Sequence, residues 1–154
     1  MKTLVLGLGN LLLADEGVGV HVAQALQQRG FDETVSVIDA GTAVLDALPQ
    51  IEAAERIIVV DACMGDAKPG TVYCLKVDEC DDKPFIGSVH GFDLKYVMAL
   101  ASRTSLPEVT VIGVQPERIT WSMELSPSVA AVVPGVIEIV EKMITTKKEV
   151  EACR

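Results

Sequence analysis

Glu16, Asp39, Asp61 and His90 are the residues of this chain whose types and positions could do chemistry. Glu16 stands in LADEGVG, ahead of a stretch with helical period. Asp39, in IDAGT, and Asp61, in RIIVVDA, each close an apolar run of strand character. An acid at the carboxyl end of a buried central strand is costly without a partner, and open α/β sheets bind their ligands at that edge. His90 stands in IGSVHGFDL, between a long loop and a helix, flanked by small residues. If Glu16, Asp61 and His90 converge, they form a one-histidine, two-carboxylate set that suits a divalent transition metal and leaves positions open. Three protein ligands plus water is also the arrangement of catalytic zinc. Each residue also has a plainer role. Acids are favourable at a helix N-terminus, which fits Asp15 well and Glu16 less clearly. Asp39 could make an Asx turn with Thr42, and His90 could be a cap or a satisfied loop residue. His21, inside the first helical stretch, reads as structural or surface.

The elements that must position these groups follow from apolar period. Strands are expected over Thr3–Leu8, Val35–Ile38, Arg56–Val60 with Asp61 at its end, Thr71–Val77 and Val109–Val114. Helices are expected over Gly17–Arg29, from a Thr42 cap to Leu48 with Pro49 disturbing it, over Phe92–Ser102, and from Ser126-Pro127 onward. Ser-Pro is a helix-start signature, and Pro134 should kink the last helix. Alternating strands and helices mean an α/β sandwich with a largely parallel sheet. One connection breaks the pattern. Only nine residues, ACMGDAKPG, separate Asp61 from Thr71, fewer than the dozen or so that a parallel crossover needs. The Thr71–Val77 strand should therefore run antiparallel to the rest.

Composition excludes several classes. With 154 residues, 49% of them apolar, the chain can build one core and is not intrinsically disordered. Twenty-two acids against 13 bases leave a net charge of −9, which opposes binding to nucleic acid and to anionic membranes. Met1-Lys2 followed by TLVLGLGNLLLA imitates a signal peptide, but turn chemistry interrupts the run and no A-x-A site follows. Gly7-Leu-Gly9 imitates a dinucleotide fingerprint, yet Leu12 stands where its third glycine belongs, and Asp15 and Glu16 oppose a pyrophosphate. No nucleotide is expected. Cys63, Cys74, Cys80 and Cys153 form no C-x-x-C pair and read as reduced thiols of a cytoplasmic protein.

Taken together and in order, GLGNLLLADEGVG, IDAGT, VVDA, SVHGFDL and GVQPERITWSMELSPSV resemble the nickel–iron hydrogenase maturation endopeptidases over nearly the whole chain. The resemblance implies a single domain over 1–154 with a three-layer α/β/α fold. Its five-stranded mixed sheet would have the order 2-1-3-5-4, with strand four antiparallel. The implied activity is removal of a C-terminal extension from the hydrogenase large-subunit precursor after nickel insertion, by a peptidase labelled aspartic-type. By motif, the metal ligands fall on Glu16, Asp61 and His90, and the other important aspartate falls on Asp39. The catalytic groups would then be Asp39, Glu16 and Asp61, acting on a water activated by the metal or by Asp39. The nickel would be brought by the precursor, and the protease would be a cytoplasmic monomer. Cys63, two residues after Asp61, matches no requirement of the family. Two other readings stand beside this one: a cysteine hydrolase using Cys63 with His90, and a nickel-sensing maturation chaperone that does not cut.

Overall fold

The structure, a computed structural model, describes the backbone of residues 1–76, 86–87, 89–101 and 104–152, and among them the side chains of 1–76, 94–101 and 104–146. The apolar runs form β1 (Thr3–Leu8), β2 (Val35–Gly41), β3 (Arg56–Met64), β4 (Val72–Lys76), a two-residue β5 (Ile86–Gly87) and β6 (Glu108–Val114). The sheet order is β2-β1-β3-β6-β4, with β5 paired on the end of β3. Counted over the five longer strands alone, this is the expected 2-1-3-5-4.

β1, β2, β3 and β6 are mutually parallel, and β4 lies antiparallel to β6, from Val72 opposite Val114 to Lys76 opposite Thr110. The short connection thus decides the strand's direction, as its length requires. The last residue of the expected strand, Val77, lies outside the described residues.

The α-helices among the described residues are α1 (Val18–Gln27), α2 (Leu48–Ala53), α3 (Val89–Leu100), α4 (Pro127–Ala130) and α5 (Val133–Ala152). Side chains alternate across the strands, and both faces of the sheet are apolar. Leu4, Leu6, Leu8, Ile57, Val59, Val109 and Val111 pack with Ile51 of α2 and with Leu94 and Val97 of α3. Val5, Ile58, Val60, Ile112 and Val114 pack with Val18, Val22 and Leu26 of α1 and with Val136, Ile137, Val140 and Ile144 of α5. These are the three layers.

Two prolines act differently from expectation. Pro49 does not disturb a helix but opens one. It stands in the first turn of α2, where a missing N–H goes unnoticed. The stretch before it is a 3-10 helix, Val44–Ala47, whose cap position is Ala43 with no side-chain bond, so Thr42 caps nothing. Pro134 does not kink a continuous helix but separates two. It has no N–H for the carbonyl of Ala130, Val132 N turns back to Val129 O at 3.1 Å, and α5 starts anew at Val133.

Candidate active site

Glycines allow the first helix to lie directly on the carboxyl edge of the sheet. A Cβ on Gly19 would stand 2.1 Å from the carbonyl oxygen of Val60 and 2.3 Å from that of Leu8; one on Gly7 would stand 2.2 Å from the oxygen of Gly19. The start of α1 therefore crosses the ends of β1 and β3 at backbone contact. The turn before α1, a 3-10 helix over Ala14–Gly17, carries Glu16 to this edge half-buried. Gly9, at a φ of +133° that favours glycine, abuts the backbone oxygen of Glu16, and its N–H donates to Gly41 O at 3.0 Å. Gly41 N in turn donates to Asp39 Oδ1 at 3.1 Å. Glu16 and Asp39 are thus linked through two adjacent glycine turns.

Asp39 is exposed near the end of β2. Its Asx turn closes on Gly41, not on Thr42, and Gln24 Nε2 of α1 donates to its other oxygen at 3.0 Å.

Asp61 does not end its strand, because β3 continues to Met64. It sits where the neighbours part: β1 pairs with β3 only as far as Val60, whereas β6 continues opposite Asp61 and Ala62. The edge is staggered at this residue, which explains a carboxylate in an otherwise apolar strand. Asp61 is 3% exposed, and Oδ1 accepts the N–H of Ala62 at 2.8 Å.

His90 stands in the first turn of α3 rather than in a loop before it. Three residues before it, Gly87 of β5 pairs with Cys63, two residues past Asp61. Its side chain lies outside the described residues, and among the described residues no three His, Cys, Asp or Glu side chains gather around one point.

Asp15 is the residue that sequence reasoning assigned wrongly. It does not cap α1. It is fully buried, and its carboxylate accepts the N–H of Glu117 at 2.8 Å, of Arg118 at 2.9 Å and of Ser126 at 2.7 Å, together with the Ser126 hydroxyl at 2.7 Å. Burial pushes its pKa up, but the N–H groups of Arg118 and Ser126, the Ser126 hydroxyl and the N–H of Glu117 reverse this, leaving the carboxyl below its usual value. The backbone is tied as well. Ala14 N donates to Ser122 O at 2.7 Å, Ser122 N to Leu12 O at 3.0 Å and Asp15 N to Arg118 O at 3.3 Å. Ala14 is held at a φ of +50° between these bonds, a conformation non-glycine residues keep only when their surroundings impose it. Asp15 thus fastens the segment after β6 to the turn that carries Glu16. The ADEG spacing carried no sign of this, because the partners lie more than a hundred residues away.

Cys63 is 4% exposed, with Sγ against the Cα of Gly113, where a Cβ would approach it to 2.4 Å. A reactive thiol needs access and an electropositive surrounding, and this burial is that of a packing residue.

Known proteins share this sequence pattern and this fold. A family model for hydrogenase maturation proteases (HycI) matches residues 20–143. The chain is 34% identical over 144 residues to the Hydrogenase 2 maturation protease of Escherichia coli, covering 90% of this chain and 87% of that one. It is 34% identical over 152 residues to the hydrogenase expression/formation protein HupD of Rhizobium leguminosarum, covering 93% and 74%. Among solved structures it is similar to the [NiFe] hydrogenase maturation protease HybD from Thermococcus kodakarensis, with a TM-score of 0.80, 34% identity and coverage of 93% and 99%. It is also similar to the hydrogenase maturating endopeptidase HybD of E. coli, with a TM-score of 0.79, 33% identity and coverage of 91% and 90%. The chain belongs to the hydrogenase maturation protease family and is an endopeptidase.

Proposed function

We propose that this endopeptidase removes the C-terminal extension of a nickel–iron hydrogenase large-subunit precursor, and that it reads the nickel already inserted there. The observation that supports this reading is that Glu16 stands in the turn before α1, Asp39 near the end of β2 and Asp61 where β1 leaves β3, in a member of this family, with His90 in the first turn of α3. Glu16, Asp61 and His90 are the proposed contacts to the substrate's nickel. Two carboxylates and an imidazole supply oxygen and nitrogen donors, which leave the soft thiolate positions to the precursor.

The cutting water is activated by the substrate's nickel as Lewis acid or by Asp39 as general base. Exposed Asp39 can reach bulk water, and Asp39→Asn separates the two: it abolishes cleavage if Asp39 is the base and spares most of it if the nickel suffices. In the proposed setting the protein is cytoplasmic and monomeric. Among the described residues, no helix is long and apolar enough to cross a membrane.

The test is the mass of a nickel-loaded precursor before and after mixing with the purified protein. Shortening of the nickel-loaded form, with the nickel-free form left intact, is the expected result. Efficient cutting of nickel-free precursor would remove nickel recognition from the reading, and no cutting of either form would favour a nickel-sensing chaperone. Cleavage by Cys63→Ala at the wild-type rate would dispose of the cysteine hydrolase.

A further inference from the structure

Among the described residues, six of the ten exposed large apolar side chains stand at or after the carboxyl ends of parallel strands; Met1, Leu106 and, on α3, Tyr96 and Leu100 stand elsewhere. Leu12 (50% exposed), Ile119 (44%), Trp121 (81%) and Met123 (58%) stand on the two segments that follow β1 and β6, and exposed Leu45 and Met64 follow or end β2 and β3. Five of them lie beyond the carboxyl ends of parallel strands and Met64 is the last residue of one, on the rim that carries Glu16, Asp39 and Asp61. Exposed apolar patches of this kind mark interaction sites.

The patch is also held in shape. Leu12 and Ser122 are joined backbone to backbone, Leu13 bridges Ser122, and the Asp15 carboxylate fastens Glu117, Arg118 and Ser126. The backbone under the patch is therefore held before a partner arrives, which reduces what binding must spend on ordering it. The same rim is acidic: Glu16, Asp39, Asp66, Glu117 and Glu124 stand there against Lys68 and Arg118. An occupant that complements it is apolar, with cationic side chains beside the apolar ones.

We infer that the Leu12, Ile119, Trp121 and Met123 patch is the docking surface for the precursor, seating an apolar segment with basic flanks next to the bond to be cut. The inference rests on the proposed function and names the surface that brings the substrate to that site. Its continuity with the turn carrying Glu16 argues for the substrate rather than a second copy of the chain, since a second copy would cover the site.

Trp121 is the only tryptophan of the chain, so protein labelled with 5-fluorotryptophan gives a single fluorine resonance from the patch itself. Adding nickel-loaded precursor should shift that resonance. The double variant Trp121→Ser, Met123→Ser should raise KM about tenfold or more with kcat little changed, in keeping with an aromatic anchor at an interface. Trp121→Phe should recover most of the loss. Leu106→Ser, which alters an apolar residue 80% exposed ahead of β6 at the opposite edge, should leave KM unchanged. Added salt should raise the wild-type KM.

If the wild type cuts the precursor while the resonance stays still and the double variant keeps the wild-type KM, the docking surface is wrong and the functional reading stands. A wild type that cuts nothing overturns the functional reading and the docking with it. A resonance that shifts with protein concentration alone assigns the patch to self-association and overturns the inference.

Discussion

At the scale of single residues, the sharpest contrast is between Asp15 and Glu16. They are adjacent and chemically alike, yet one is fully buried under four hydrogen bonds and the other is half-exposed at the candidate active edge. Asp15→Asn keeps the shape but puts an NH2 where one oxygen accepts from N–H donors. It should cost about 3 kcal/mol, since bonds to charged groups contribute roughly 1.5–3 kcal/mol each and the buried donors lose their acceptor. Because the folded pKa of Asp15 is lowered, its contribution is present above the unfolded value of about 3.9 and is lost as pH falls through the lower folded value. Urea titrations at pH 7 and pH 3 should show a wild-type advantage over Asp15→Asn that shrinks at the acidic end. An advantage equal at both pH values would contradict the assignment. For Glu16, Asp61 and His90 the expected effect is on cleavage. His90→Ala should abolish it, and Glu16→Gln and Asp61→Asn should lower kcat/KM by about a hundredfold, the scale of losing a ligand-shell group. Far-UV circular dichroism of all three should match the wild type; retained cleavage by His90→Ala would remove the nitrogen donor from the site.

At the scale of elements, the position of the edge depends on α1 meeting the sheet at backbone distance. Gly19→Ala would force a methyl group to within 2.1 Å of Val60 O. Neither neighbour is a flexible side chain, so the helix must lift, at about 1–3 kcal/mol for overpacking. Thermal unfolding of Gly19→Ala should show the fall, and cleavage should drop further than stability alone explains because Glu16 moves with the helix. A variant with wild-type Tm would show the crossing to be looser than drawn. The elements were largely legible in the sequence. Strand runs, the antiparallel β4 and the acids at the edge follow from apolar period, from a nine-residue connection and from the rule that α/β sheets bind at their carboxyl ends. What period could not supply was the function of proline at a boundary. Pro49 and Pro134 each stand in the first turn of a new helix, and only the partners of the preceding carbonyls distinguish a start from a kink. Asp15 was illegible for a different reason: three of its four donors are backbone N–H groups, which carry no residue-type signal, and the fourth, the Ser126 hydroxyl, lies more than a hundred residues away. The extension of β3 past Asp61 escaped because DACM mixes an acid into a strand that only β6 and β5 still accompany.

At the scale of the whole molecule, both faces of the sheet are filled with apolar side chains from helices, so the fold has a core of its own. If the nickel belongs to the substrate, dialysis against a chelator should leave Tm unmoved, and the chelated protein should still cut nickel-loaded precursor without added metal. A fall of several degrees in Tm, or cleavage restored only by added metal, would instead identify a resident ion. The charge of −9 is carried partly on the rim, which is where it can attract a cationic partner.

The bonds of Asp15 have a consequence in time. They join the first turn of the chain to Glu117, Arg118 and Ser126, a separation of more than a hundred residues. Contacts so distant in sequence form late, because the intervening chain must be ordered first. On the ribosome, domains emerge N-terminal end first, and the turn bearing Glu16 gains its last tethers only after β6 and the following segment have been made. A nascent chain stopped before Glu117 can have written all the acids of the site and still lack the frame that aims them. Proteolytic competence then comes late in the molecule's own synthesis, and a copy released before Glu117 is expected to be born inactive rather than unregulated.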